Sequence, residues 1–232
     1  GAFGGCVSLA EITLPFAGLF KDGTTLPYGY HFARIFGSYE FKDFKYGILS
    51  YGSRKVEQIN QGSSSEKTTY YVPESLRKVT ILGGDVGYGA FSGCDRIRQV
   101  ILDDAVASIG DKAFMDCSWL DSVRLPGNLA SLGAQQIFVG CNSLDYMLLP
   151  ASCKTISSGI FLSSWDSYPI YLEAADSADI SGFAAGWNKK DESSNHEYYF
   201  YSENEPTTVQ RQSGKKYWHY DGTKENSIAV WE

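Results

Sequence analysis

The chain has 232 residues, 43% hydrophobic and 20% charged, which is enough apolar material to bury one large core or two small ones. A net charge of −7, with no basic run longer than Lys189-Lys190 or Lys215-Lys216, excludes the phosphate-neutralising patch that nucleic-acid binding requires. No apolar stretch approaches about 18 residues, so no membrane-spanning helix is expected. Aromatics at 15%, with 16 Tyr against 2 Met, lean towards β structure and an extracellular setting. Five cysteines cannot all pair within the chain.

The first unit reads Phe3, Cys6, Leu9, Ile12 and Leu14. Its last residues alternate, which predicts a short strand with two side chains inward and one outward. Gly1 falls inside this unit, a start compatible with a leader or further repeats ahead of it. From 15 to 72 the register is lost. This insertion is rich in Gly, Tyr and Phe, with Gly62 to Lys67 reading as an exposed loop. It either carries a binding function or is an irregular coil that fills its own core.

Leu76, Val79 and Ile81 restore the register. Phe91, Phe114, Phe138 and Phe161 then recur at spacings of 23, 24 and 23. Cys94, Cys117 and Cys141 stand three residues after the first three, with Ser164 in the fourth unit. Ile97, Leu120 and Leu144 follow, and then the strand candidates Val100 to Leu102, Val123 to Leu125, Met147 to Leu149 and Ile170 to Leu172. Pro15, Pro126 and Pro150 each close a strand, because proline lacks the N–H to continue a ladder. Six units are legible. None can bury its apolar edge alone, so neighbours must stack.

Repeated placement makes Cys6, Cys94, Cys117 and Cys141 a buried column, with Cys153 in an apolar slot beside it. They read as small hydrophobes rather than nucleophiles, and without a Cys-x-x-Cys there is no zinc signature.

This unit, with its Ala-Phe pair (Ala90-Phe91, Ala113-Phe114), Cys, aliphatic residue and terminal strand closed by Pro, resembles the BspA-type leucine-rich repeat. The resemblance covers Leu76 to Leu172 strongly, plus the first 15 residues. Departures are Ser164 in place of Cys and Gln135-Gln136-Ile137, which adds a residue and loses the Ala. The resemblance implies a right-handed solenoid of short parallel strands and short helical or 3-10 turns. It also implies a bacterial secreted or cell-surface protein, with adhesion to host proteins known for some members.

Beyond Leu172, Ala178, Phe183, Ala184 and Trp187 fall at helical spacing, which predicts a capping helix over about 176–187 with Ser177 as N-cap. Residues 188–195 read as a polar loop. Glu197 to Tyr201, Tyr217 to Tyr220 and Ile228 to Trp231 are three aromatic strand candidates. The expected division is a repeat domain over 1–190 and an aromatic β segment over 191–232.

For function, His31, His196 and His219 lie far apart outside the repeats, and Asp103-Asp104 or Glu203 to Glu205 form no calcium-loop or glycosidase pattern. No catalytic residue, cofactor or metal is expected. The outward strand positions are Thr13, Thr80, Ile101, Arg124, Leu148 and Tyr171, preceded by residues such as Gln99, Ser122 and Tyr146. They grow apolar and aromatic towards the C-terminus, so Arg124, Tyr146, Leu148 and Tyr171 are the candidates for holding an extracellular or host protein on the concave face. The alternative is that the C-terminal strands fold back over them. A carbohydrate-binding module would instead use Trp218, Tyr220 and Trp231, and a third reading is a structural spacer of a larger surface protein.

Overall fold

Residues 2–18, 29–38, 42–45, 48–63, 65–133, 135–162, 167–222 and 227–231 are described by the computed structural model; Ser164 lies outside them. The elements in chain order are β1 (Glu11–Leu14), a 3-10 turn (Phe32–Ile35), β2 (Lys42–Lys45), β3 (Ile48–Tyr51), β4 (Ser53–Ile59), β5 (Lys67–Pro73), β6 (Lys78–Ile81), β7 (Gly84–Val86) and β8 (Gln99–Leu102). There follow β9 (Val106–Ile109), β10 (Ser122–Arg124), β11 (Ser131–Leu132), β12 (Met147–Leu149), β13 (Thr155–Ile156), β14 (Ile170–Leu172), β15 (Tyr198–Tyr201), α1 (Thr208–Gln212), β16 (Tyr217–Tyr220) and β17 (Ile228–Val230). The fold is mostly β, with almost no helix among the described residues.

One strand per repeat builds the main ladders. β1, β6, β8 and β10 pair in parallel, with Ile12 beside Val79, Val79 beside Val100 and Val100 beside Val123. A second ladder runs β12-β14-β15-β16-β17. The alternation decides the register: inward residues such as Val79, Ile81, Val100, Leu102, Met147 and Leu172 are at most 1% exposed. Each contributes about 1.5–3 kcal/mol through burial. The outward residues Thr13, Thr80, Ile101 and Arg124 line up across the first ladder, as Leu148, Tyr171 and Tyr199 do across the second.

Opposite the strands, Phe32, Phe91, Phe114, Phe138 and Phe161 form one stack, with successive ring centroids 4.8, 5.2, 5.4 and 5.8 Å apart. All five rings are fully buried. The cysteines lock this stack to the backbone: the Cys117 thiol donates to the Phe91 carbonyl at 3.0 Å and that of Cys141 to Phe114 at 3.1 Å. Burial pushes the thiols of Cys94, Cys117 and Cys141 far up, and that of Cys153 to about 11. Cys6 departs from the expected column and is exposed. Its strand β1 pairs with β6 of the next repeat, but its ring, Phe3, packs on Phe36 of the insertion and not on the phenylalanine of another repeat.

The insertion is part of the core, not a detour outside it. β1 and β6 are ladder neighbours, so the chain leaves after Leu14 and returns beside it. On the way, Phe32 enters the phenylalanine stack and the β4–β5 hairpin seals its flank. Gln58, fully buried, accepts from the Ala33 N–H and donates to the Ala90 carbonyl at 2.6 Å. Gly93 makes the close approach possible: at φ +69°, a Cβ there would lie 2.7 Å from the Glu57 carbonyl oxygen.

The capping helix over 176–187 does not form; the segment is a run of turns. Asp179 accepts the Ala175 and Asp176 N–H groups and Asp176 accepts that of Ala178, which satisfies the donors a helix would have organised. Phe183 instead makes a parallel bridge to Ile156, and Gly182 sits so close that a Cβ would fall 2.4 Å from the Lys154 carbonyl oxygen. Tertiary pairing thus overrides helical spacing, and Ser177 caps nothing. The α-helix that does form, α1, has a capping box between Thr207 and Gln210.

The expected C-terminal strands exist as β15, β16 and β17. β15 pairs in parallel with β14, Tyr171 beside Tyr199, so hydrogen bonding runs across residue 190 without a break. β16 adds in parallel and β17 antiparallel.

Candidate functional site

The two main ladders part between β10 and β12. These strands are neighbours but share no pairing, joined by a backbone bond from the Asp145 N–H to the Asp121 carbonyl at 3.0 Å. The unit between them carries the extra residue of Gln135-Gln136-Ile137, where Gln136 takes φ +57°. The neighbouring coils stay bonded on that side, the Phe114 N–H donating to the Ile137 carbonyl at 3.0 Å, so the turn takes up the extra residue.

A cleft of about 370 Å³ opens at this break, lined by residues that include Gln99, Ser122, Arg124, Tyr146, Leu148, Pro150, Glu173 and Tyr220. Three of the four sequence-predicted strand-face residues, Arg124, Tyr146 and Leu148, therefore meet in one place. Arg124 is exposed and pairs with Asp104 at 3.5 Å. Tyr171 stands behind the cleft, its ring against Tyr146 (5.9 Å), Tyr199 (5.2 Å) and Trp218 (5.6 Å).

The residues proposed for sugar stacking separate. Trp218 is fully buried and its indole N–H donates to the Leu172 carbonyl at 2.8 Å, so it has no face to offer a ligand. It is a core residue, enclosed because β16 continues the sheet and sets it against Tyr171, Tyr201 and Tyr220. Trp231 has one face stacked on His219 at 4.0 Å and bonds the Ser202 carbonyl. Tyr220 alone of the three lines the cleft. Its hydroxyl donates to Glu173 Oε1 at 2.6 Å. Burial, and then the bonded carboxylate, hold that phenol proton well above the usual tyrosine range.

Sequence reasoning missed Glu173, although its place two residues beyond the outward Tyr171 is a readable signal. It also missed Trp119, 37% exposed on the flank, which carries the Arg96 guanidinium 3.9 Å over its ring. A wider groove of about 640 Å³ lies between β4 and the turns at 92–95, 116–118 and 139–142. Its Glu57 and Asp95 carboxylates are already paired with Lys55 and Arg54.

The histidines do not reach the thiols as a catalytic pair would. His31 is bonded to Tyr70 and the Ile59 carbonyl, and His196 to the Tyr168 carbonyl; burial lowers both pKa values. Among the described residues no three His, Cys, Asp or Glu side chains gather as metal ligands, and no helix is long and apolar enough to cross a membrane.

Six copies of the BspA type leucine-rich repeat region match residues 66–175, the stretch that builds the stacked Phe and Cys columns. Residues 66–175, just under half of the chain, are BspA-type leucine-rich repeats. Among solved structures, the chain is similar to a leucine-rich cell surface protein from Faecalibacterium prausnitzii A2-165, at 18% identity and a TM-score of 0.43. The match covers 88% of this chain and 50% of the Faecalibacterium one, so the chain spans half the length of that protein. No curated protein matches it.

Proposed function

We propose that this chain is a non-catalytic, protein-binding repeat domain of a secreted or cell-surface bacterial protein. In this reading the units wind as a right-handed solenoid whose concave strand face holds an extracellular or host protein, as in adhesion. The C-terminal segment from 191 onward extends the repeats and walls the site. The observation that carries the proposal is the cleft between β10 and β12, where Arg124, Tyr146 and Leu148 are presented together. Outward aromatic and Arg side chains around a concavity are the chemistry of interface anchors. The six BspA-type repeats over residues 66–175 support it, because stacked repeats present an extended strand face for contact.

The test is solid-phase binding of the chain to a panel of extracellular-matrix proteins and glycans, with Tyr146→Ala/Leu148→Ala alongside. Saturable protein binding that falls at least about tenfold in the variant is expected, since anchor residues contribute about 1–2 kcal/mol or more each. Protein binding indifferent to the variant would exclude the strand face.

One observation favours carbohydrate as a second reading: Tyr220 lines the same cleft beside the polar Gln99 and Ser122. Glycan binding with no protein binding on the same panel would select it. Silence across the panel favours a spacer, or a partner outside the panel.

A further inference from the structure

The charges lining the cleft are not equivalent. Arg124 already has partners, with Asp104 at 3.5 Å and its Nη1 donating to the Leu102 carbonyl at 3.4 Å. Glu173, on the opposite wall, has no cation within ion-pair distance among the described residues. Its Oε1 accepts the Tyr220 hydroxyl at 2.6 Å and its Oε2 accepts the Ala151 N–H at 3.2 Å. A carboxylate offers about four acceptor positions, so about two stay open to a ligand. The Tyr146 and Tyr220 rings stand on the same lining, and Leu148 and Pro150 add aliphatic surface. The held phenol proton keeps Tyr220 a neutral donor to Glu173.

We propose that the cleft is a receptor for a basic side chain, arginine or lysine, projecting from the partner polypeptide. The Glu173 carboxylate takes the charged head, the Tyr146 and Tyr220 rings offer their electron-rich faces to it, and Leu148 and Pro150 pack the methylene stem. The net charge of −7 favours the approach of a basic partner to the chain. This rests on the strand-face reading above and adds the chemistry of what that face recognises.

The test uses the whole chain with its tyrosines isotopically labelled, titrated by NMR with N-acetyl-arginine amide and with N-acetyl-citrulline amide, which has nearly the same shape without the charge. Arginine amide should shift the Tyr146 and Tyr220 signals saturably, with citrulline amide about tenfold weaker. Glu173→Gln keeps an oxygen for the Tyr220 hydroxyl, and should remove that preference. Tyr146→Leu, which keeps an apolar wall, should weaken arginine amide severalfold. Equal binding of the two amides, an unaltered preference in Glu173→Gln, or no shift with either amide overturns the proposal. So do cleft shifts seen with methyl glucoside and not with arginine amide. The strand-face reading fails separately: protein capture that is lost in Tyr146→Ala/Leu148→Ala but untouched by Glu173→Gln preserves that reading and removes only the basic side chain.

Discussion

The phenylalanine stack gives the sharpest quantitative test of the fold. Phe114 is fully buried, with Phe91 at 5.2 Å and Phe138 at 5.4 Å, both within 5° of parallel. Phe114→Ala removes the ring's transfer free energy and leaves a cavity between two rigid neighbours, a loss of about 3–5 kcal/mol. For a chain of this size each kcal/mol moves the melting midpoint by about 2–4 °C, so the variant should melt about 6–20 °C lower. Phe114→Leu separates bulk burial from ring stacking: it keeps most of the apolar volume but forfeits two stacked pairs, each about 0.5–1.5 kcal/mol. Its expected loss is thus about 1–3 kcal/mol by urea denaturation followed by circular dichroism. A double-mutant cycle with Phe138→Leu should return a coupling of about 0.5–1.5 kcal/mol. A leucine variant within about 0.5 kcal/mol of wild type, together with no coupling, would refute the reasoning and reduce the stack to filler.

Thiol reactivity follows from burial: iodoacetamide on the folded chain should alkylate the exposed Cys6 and spare Cys94, Cys117 and Cys141, as read by peptide mass spectrometry. Equal labelling of all four would contradict the buried column. His31 and His196 both have pKa values lowered from 6.5 by burial. Below about pH 6.5 the unfolded chain therefore binds protons that the folded chain refuses. Stability should decline as pH falls towards the folded values and level off beneath them, until the carboxylates begin to titrate. Urea midpoints between neutral pH and about pH 5 should show this in wild type and much less in His31→Gln/His196→Gln; a flat wild-type curve would count against it. Gly93→Ala should destabilise the chain well beyond Gly62→Ala. Both positions have positive φ, worth about 1–2 kcal/mol for a side chain, but only Gly93 has a carbonyl oxygen in the way. Matching losses would mean that the β4–β5 hairpin does not rest on that turn.

Much of the fold is legible because stacking is a nearest-neighbour affair. Each repeat must offer the next an inward residue, a ring and a thiol at fixed places, and that demand prints a period on the sequence from Phe91 to Leu172. Legibility ends where contacts reach past the neighbouring unit. Spacing around Phe183 suits a helix, and only its bridge to Ile156 decides for the ladder. Trp218 looks like an exposed strand aromatic until the carbonyl of Leu172, 46 positions away, accepts its indole N–H. At the cleft, Arg124, Tyr146 and Leu148 follow from alternation along β10 and β12, whereas Tyr220 joins them only because β15 and β16 extend the same sheet.

The excursion between β1 and β6 also bears on the order in which the chain assembles. Val100 meets Val123 one repeat later, but Leu14 must wait for Ile81, a loop about three times longer. By loop-closure entropy that adds roughly 1 kcal/mol before any contact repays it. The units from Leu76 onward can therefore nucleate and zip together first, with the opening strand joining a surface already made. An N-terminal strand that arrives last is also the first to leave, so hydrogen exchange at Ile12 and Leu14 should report opening at lower free energy than at Val100 and Leu102.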